Sequence, residues 1–202
     1  MQCPPPKKYG KWVHDTSTAD EPPLLDKYGC THIQYVVRSI LWYTRAVNLT
    51  VLITLSTIAT EQVQATNTTI NNVNQLLDYL VRNNNSMMRY YALDMILNIH
   101  SDVSYLSERK SKSRASGHFL LVGIPCDGTH INLNGSVYTL CTIFKFMESS
   151  AAKGELSDIF IDMKHVCIIL HTLFELGDPE SPTPINCDNA TASGIENGTI
   201  KK

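Results

Sequence analysis

Apolar residues recur at helical spacing from Ile33 onward. Val36, Val37, Ile40 and Leu41 share one stripe, and after a break near Asn48 the residues Val51, Leu52, Leu55, Ile58 and Ala59 form a second. Ile70, Val73, Leu77 and Leu80 then repeat at spacings of three and four, behind Asn67 or Thr68 as cap and up to the Asn83-Asn84-Asn85 stop. At Tyr90 the period changes to two. Met95, Leu97 and Ile99 alternate with Ile96, Asn98, His100 and Asp102, the pattern of a strand with one apolar and one more polar face, with Asp102 at its far end. A basic, Ser-rich loop follows. Residues 117–124 and 136–144 are strand-like, joined through the turn dipeptides Asp127-Gly128 and Asn134-Gly135, so the three strands predict an antiparallel meander. Leu156, Phe160, Met163, Cys167, Leu170 and Phe174 predict a long helix that buries this stripe, with Ser149 or Ser150 as cap and Gly177 as stop. A Pro-rich link at 179–184 leads to a short strand at 184–187, and Asp188 or Asn189 can cap a last helical segment from Ala190.

These patterns divide the chain of 202 residues into a Pro-rich tail or linker at 1–32, a helical region at 33–90 and an α/β region at 91–202. A hydrophobic content of 43% with 18% charged residues is ample for a packed core. The net charge of −2 gives no global attraction to polyanions, so nucleic-acid contact requires a local basic patch or bound cations. The opening MQCPPPKKYGKW lacks the apolar run of a secretory signal, and the most apolar stretch, 47–59, falls well short of the ~20 residues of a membrane span. The expectation is an intracellular protein, in cytoplasm or nucleus, with no membrane partner. Six cysteines without a C-x-x-C pair read as reduced thiols rather than a zinc site or a disulfide framework.

Candidate chemistry lies in three carboxylates on separate elements: Asp102 at a strand end, Glu155 in the first turns of the long helix, and Asp188 after the short strand. Oxygen donors gathered this way suit a hard cation such as Mg²⁺, which keeps several waters while it binds a substrate phosphate. They converge only if the first and fourth strands are neighbours and the helix lies across them. A single Asp at a strand end or cap position is more often a turn or capping residue, so the spacing alone leaves both readings open. His100 sits close to Asp102 in sequence and reads as structural. Arg109, Lys110, Lys112 and Arg114 form a basic run, either a solvated hairpin loop or a phosphate-contacting patch.

The segments NIHSDVSYLSERKSKSRASGHFLLVG, TLCTIFKFMESSAAKGELSDIF and PTPINCDNATASGI, in that order, resemble the ribonuclease H domain of copia-type retrotransposon reverse transcriptase polyproteins. The helical region before them is similar to the connection region that precedes that domain, and the likeness covers about residues 33–200. It implies a ribonuclease H-like mixed sheet of three antiparallel strands, a long helix and a fourth, parallel strand, incomplete at the C-terminus and preceded by a small helical subdomain. It also implies, as ancestral activity, metal-dependent hydrolysis of the RNA strand of RNA/DNA hybrids with Mg²⁺ or Mn²⁺. By the resemblance Asp102 bridges two metals, and Glu155 and Asp188 share one and orient the attacking water; the hybrid's phosphates are what the basic run Arg109, Lys110, Lys112 and Arg114 would touch if it is a contact patch rather than a solvated loop. Partners would be the hybrid and the remainder of the polyprotein. Two departures stand out: the family's fourth acidic residue would fall beyond Lys202, and Lys153 stands where the family usually has a second glutamate. The expectation is therefore a degenerate fragment, with a non-catalytic nucleic-acid-binding or protein-interaction remnant as the alternative.

Overall fold

The computed structural model describes residues 22–108, 111–123, 134–180 and 182–200. Three helices come first: α1 (Lys27–Ala46), α2 (Leu52–Glu61), entered through a 3-10 turn at Leu49–Val51, and α3 (Asn67–Arg82). Asp26 caps α1 by accepting the Gly29 amide, and Thr66, rather than Asn67 or Thr68, caps α3 in a reciprocal pair with Thr69. The first helix begins six residues before Ile33, so part of the expected tail is helical. Ile33, Val37, Leu55, Ile58, Val73 and Leu76 close a core between the three helices, as their spacing requires.

The α/β part follows as β1 (Ile96–Glu108), β2 (Lys112–Val122), β3 (Ser136–Ile143), α4 (Ala151–Glu175), β4 (Ile185–Cys187) and α5 (Ala190–Glu196). The strands form one mixed sheet in the order β3-β2-β1-β4, antiparallel except for the parallel pair of β1 with β4. Ser101 lies beside Cys187 in that parallel pair, so the first and fourth strands are neighbours, as convergence of the carboxylates demands.

Two expectations are corrected. Most of the Ser-rich segment after Asp102 is not a loop: β1 runs on to Glu108 and β2 starts at Lys112, so Asp102 lies inside a strand, opposite Ser116. Leu106 and Ser111 adopt positive φ where this hairpin bulges and turns. Polar residues hold the ladder here because they find partners. The Ser113 hydroxyl accepts the Leu106 amide, and Ser113 is fully buried. The turn around Asp127-Gly128 lies outside the described residues.

The second correction concerns α4. Ser150 caps it and Gly177, at φ 90°, follows its end, as the sequence indicates. The face turned to the sheet, however, is Glu155, Asp158, Ile159, Asp162, Val166 and Leu173, whereas Phe160, Met163, Cys167 and Phe174 are exposed. Both faces carry apolar residues at heptad-like spacing, Ile159, Val166 and Leu173 forming the second repeat, so period alone does not choose between them. Close approach does. A Cβ at Gly154 would stand 3.2 Å from a Val103 methyl, and one at Gly117 would collide with the Asp162 carboxylate. Small and slender groups line the contact, letting α4 sit low on β1 and β2, where Leu97, Ile99, Phe119 and Leu121 meet Val166 and Leu173. Gly117→Ala is therefore expected to lower stability by about 1–3 kcal/mol through overpacking, read as a shifted urea midpoint. An unchanged midpoint would contradict this packing.

Candidate metal centre

Helix α4 crosses the sheet with Glu155 one turn inside its N-terminus, and the side chain points down, 5% exposed, toward the end of β4. Strand β4 ends at Cys187, and Asp188 follows in a bend. Asn189, not Asp188, caps α5 by accepting the Thr191 and Ala192 amides, which leaves the Asp188 carboxylate out of the capping bonds. Ligand atoms of Glu155, Cys187 and Asp188 lie within 4.8 Å of one another. The Cys187 thiol donates to Glu155 Oε2 across 3.7 Å. Glu155 and Asp188 are thus brought together as expected, with an unforeseen thiol between them.

Asp102 stands outside this close group. Along β1 burial alternates, with Ser101 and Val103 buried toward α4 and His100, Asp102 and Ser104 exposed. The charge of Asp102 nonetheless reaches the site. Glu155 is pushed above the usual carboxylate range first by burial, then by the negative charges of Asp102 and Asp188. Burial, with Glu155 and Asp188 nearby, also pushes the Cys187 thiol up. The negative charges of Asp102 and Asp188 thus add to burial in raising the proton affinity of Glu155, and a divalent cation is the charge that would offset them. Two carboxylates and one thiol fit a single cation, the sulfur making the donor set softer than one of oxygens alone. Among the described residues the four-carboxylate set of a two-metal site does not gather around this corner.

Lys153 is exposed whereas Glu155 is buried, and a spacing of two sets them on different sides of the helix. His100 pairs across the strands with His118, whose pKa is pushed down by burial and then by the charge of His100. The two form part of the sheet face opposite α4.

Two further carboxylates lie beside this corner. Asp158 and Asp162 continue the Glu155 face of α4 into the contact with the sheet, and both are fully buried. The Ser101 hydroxyl donates to Asp158 Oδ2 at 3.1 Å, whereas Asp158 Oδ1 and both Asp162 oxygens lack a geometrically sound partner. Burial first, then the charge of Asp162, pushes Asp158 up to about 8, and burial pushes Asp162 up to about 6. Their signal in the sequence is the spacing of Glu155, Asp158 and Asp162, an acidic stripe on one helical face.

The basic run does not form a patch among the described residues. Arg114 is buried, its Nε donating to Glu108 Oε1 at 2.7 Å and its Nη2 to Thr57 Oγ1 at 2.8 Å, so its guanidinium is not offered to a phosphate. The structure thus places Arg114 in a largely buried ion pair rather than on an exposed patch. Lys112 is half-buried beside the same contact, and Arg109 and Lys110 lie outside the described residues. No helix of the described residues is long and apolar enough to cross a membrane. No protein-family model, curated protein or solved structure matches this chain.

Proposed function

We propose that the chain is a ribonuclease H-like fragment of copia-type retroelement origin that retains a divalent-cation corner, with ancestral activity on the RNA strand of RNA/DNA hybrids and a degenerate donor set. The observation that carries this reading is the meeting of Glu155, Cys187 and Asp188 within 4.8 Å, at the junction of a long helix with a parallel strand beside β1. Sheet order and strand directions agree with the fold implied by the resemblance. A bound Mg²⁺ or Mn²⁺ would supply positive charge to a phosphodiester and acidify a coordinated water. Glu155 and Asp188 would hold it, with Asp102 placed to strengthen the field from the neighbouring strand. The Cys187 thiol, protonated in the cation-free site, would have to lose its proton to serve as a ligand.

Calorimetric titration with Mn²⁺, paired with cleavage of a labelled RNA/DNA hybrid, tests the proposal. Wild-type protein should bind the cation, and Glu155→Gln should weaken binding by at least about tenfold, since a neutral amide replaces the most buried donor. Hybrid cleavage that requires the cation and disappears in Asp102→Asn supports a surviving enzyme. Binding without cleavage supports the degenerate site. A protein that takes up no divalent cation at millimolar concentration loses the whole reading.

One observation favours a second reading, a non-catalytic interaction remnant: the burial of Arg114 removes a cation from the expected hybrid-facing run. Hybrid affinity insensitive to salt would argue against phosphate contacts in either case.

A further inference from the structure

The exposed flank of α4 is as apolar as a core-facing stripe. Phe160 is 61% exposed, Met163 48% and Phe174 63%, with Cys167 exposed between them and Leu156 and Leu170 half-buried at the margin. These six positions are separated by 4, 3, 4, 3 and 4 residues, the spacing of a coiled-coil seam, and none of them is charged. The Lys164 ammonium, 4.3 Å from the centre of the Phe160 ring, lies against the stripe rather than interrupting it. Such a flank sheds water only when another surface covers it.

We infer that this flank of α4 is a homodimer interface, in which the helix packs against α4 of a second copy in antiparallel orientation. The stripe is complementary to itself about Cys167. Phe160 lies seven residues before that cysteine and Phe174 seven after, while Met163 lies four before and Leu170 three after. Reversal of one helix therefore brings Phe160 against the second copy's Phe174 at both ends, Met163 against Leu170 inside them, and the two Cys167 side chains together at the twofold axis. Antiparallel pairing also sets each helix dipole against its opposite. The exposed part of the stripe amounts to roughly 500 Å² per copy, so the pair buries about 1,000 Å², the lower bound of specific interfaces. The inference is independent of the cation corner, which faces the sheet.

Sedimentation velocity of the full chain across the micromolar range reads the association, and mild oxidation followed by peptide mapping reads the geometry. The expected result is a reversible dimer whose dissociation constant rises at least about tenfold in Phe160→Glu, where two buried charges would enter the interface. Oxidation should yield a Cys167–Cys167 link between copies, absent in Cys167→Ser. Phe160 is exposed, so the variant should keep its helical circular dichroism; if it does not, Met163→Lys provides the same comparison. A protein that stays monomeric throughout the range overturns the inference. So does a dimer that persists unchanged in Phe160→Glu, or one that oxidation links only through other cysteines.

Discussion

The Asp158→Asn variant should melt roughly 5–10 °C above the parent protein at pH 8, with the difference closing as the pH falls toward 4. The reason is the proton that Asp158 holds. Its carboxyl is fully buried between α4 and β1, with the Ser101 hydroxyl as its one sound partner and Asp162 one turn away, and its pKa stands at about 8 against 3.8 in an unfolded chain. The folded-state value is raised, so the folded protein keeps a proton that the unfolded chain has already released between about pH 4 and pH 8. Unfolding over that window releases the proton, and stability falls as the pH climbs. Asp162, at about 6, adds a smaller loss that is complete nearer pH 6. At pH 7 the Asp158 contribution alone is of the order of 4 kcal/mol, at about 1.4 kcal/mol per pKa unit. An asparagine amide carries no such cost. Its oxygen can still accept from Ser101, and its NH₂ can donate toward the unsatisfied Asp162. Thermal melts of both proteins from pH 4 to pH 9 decide the matter: two curves that run parallel would show that Asp158 does not titrate in the folded protein as its burial requires.

The same two aspartates show where sequence pattern runs out. Helical periodicity correctly locates α4, its Ser150 cap and its Gly177 terminus, because these depend on neighbours three or four residues away. Which side of α4 meets the sheet depends instead on how closely two backbones approach. The choice falls to the face with Gly154, the aspartates and Val166, against Gly117 and Val103, leaving Phe160 and Phe174 outside. Hydrophobicity would place the phenylalanines inside, and shape overrides it. The Ser-rich segment after Asp102 illustrates the reverse case. Ser113 and Arg114 look like loop residues, yet they sit inside β2 because Leu106, Glu108 and Thr57 satisfy them from elsewhere in the chain. Strand parity was legible: Leu97 and Ile99 are buried while His100 and Asp102 face out. Of the candidate donors, Glu155 and Asp188 meet. Cys187 carries no such signal, because nothing local distinguishes a thiol at a strand end from one aimed at a carboxylate.

That distribution also explains why the cation corner and the buried aspartates act on each other. Glu155, Asp158 and Asp162 lie on one face of α4, and the charge of Glu155 is among the influences raising Asp158. A cation held by Glu155 and Asp188 would offset part of that field. Cation binding should then stabilise the fold by more at high pH than at low pH, because only ionised donors bind and only ionised neighbours repel.

Arg114→Met should cost about 3–5 kcal/mol of stability, an effect far outside the range of a solvated hairpin lysine or arginine. The guanidinium is 4% exposed in its side chain and Glu108 16%, so this is an ion pair largely out of water, and burial works against the charge of Arg114. The hydrogen bond to Glu108, with the neighbouring Cys141, outweighs that cost and holds the pKa above its ordinary value. Removal of the arginine leaves the Glu108 carboxylate desolvated without its counter-ion and breaks the 2.8 Å bond to Thr57, which ties α2 to the sheet. Methionine replaces the aliphatic stem but none of the donors. Urea unfolding of Arg114→Met, Glu108→Gln and the double variant separates the terms: the double variant should recover part of the loss, because no charge is then stranded. The outcome also arbitrates between two roles for the residue. A phosphate contact would leave the urea midpoint within about 0.5 kcal/mol of the parent and weaken hybrid binding instead, whereas a strut between the helical unit and the sheet loses stability with or without a hybrid present.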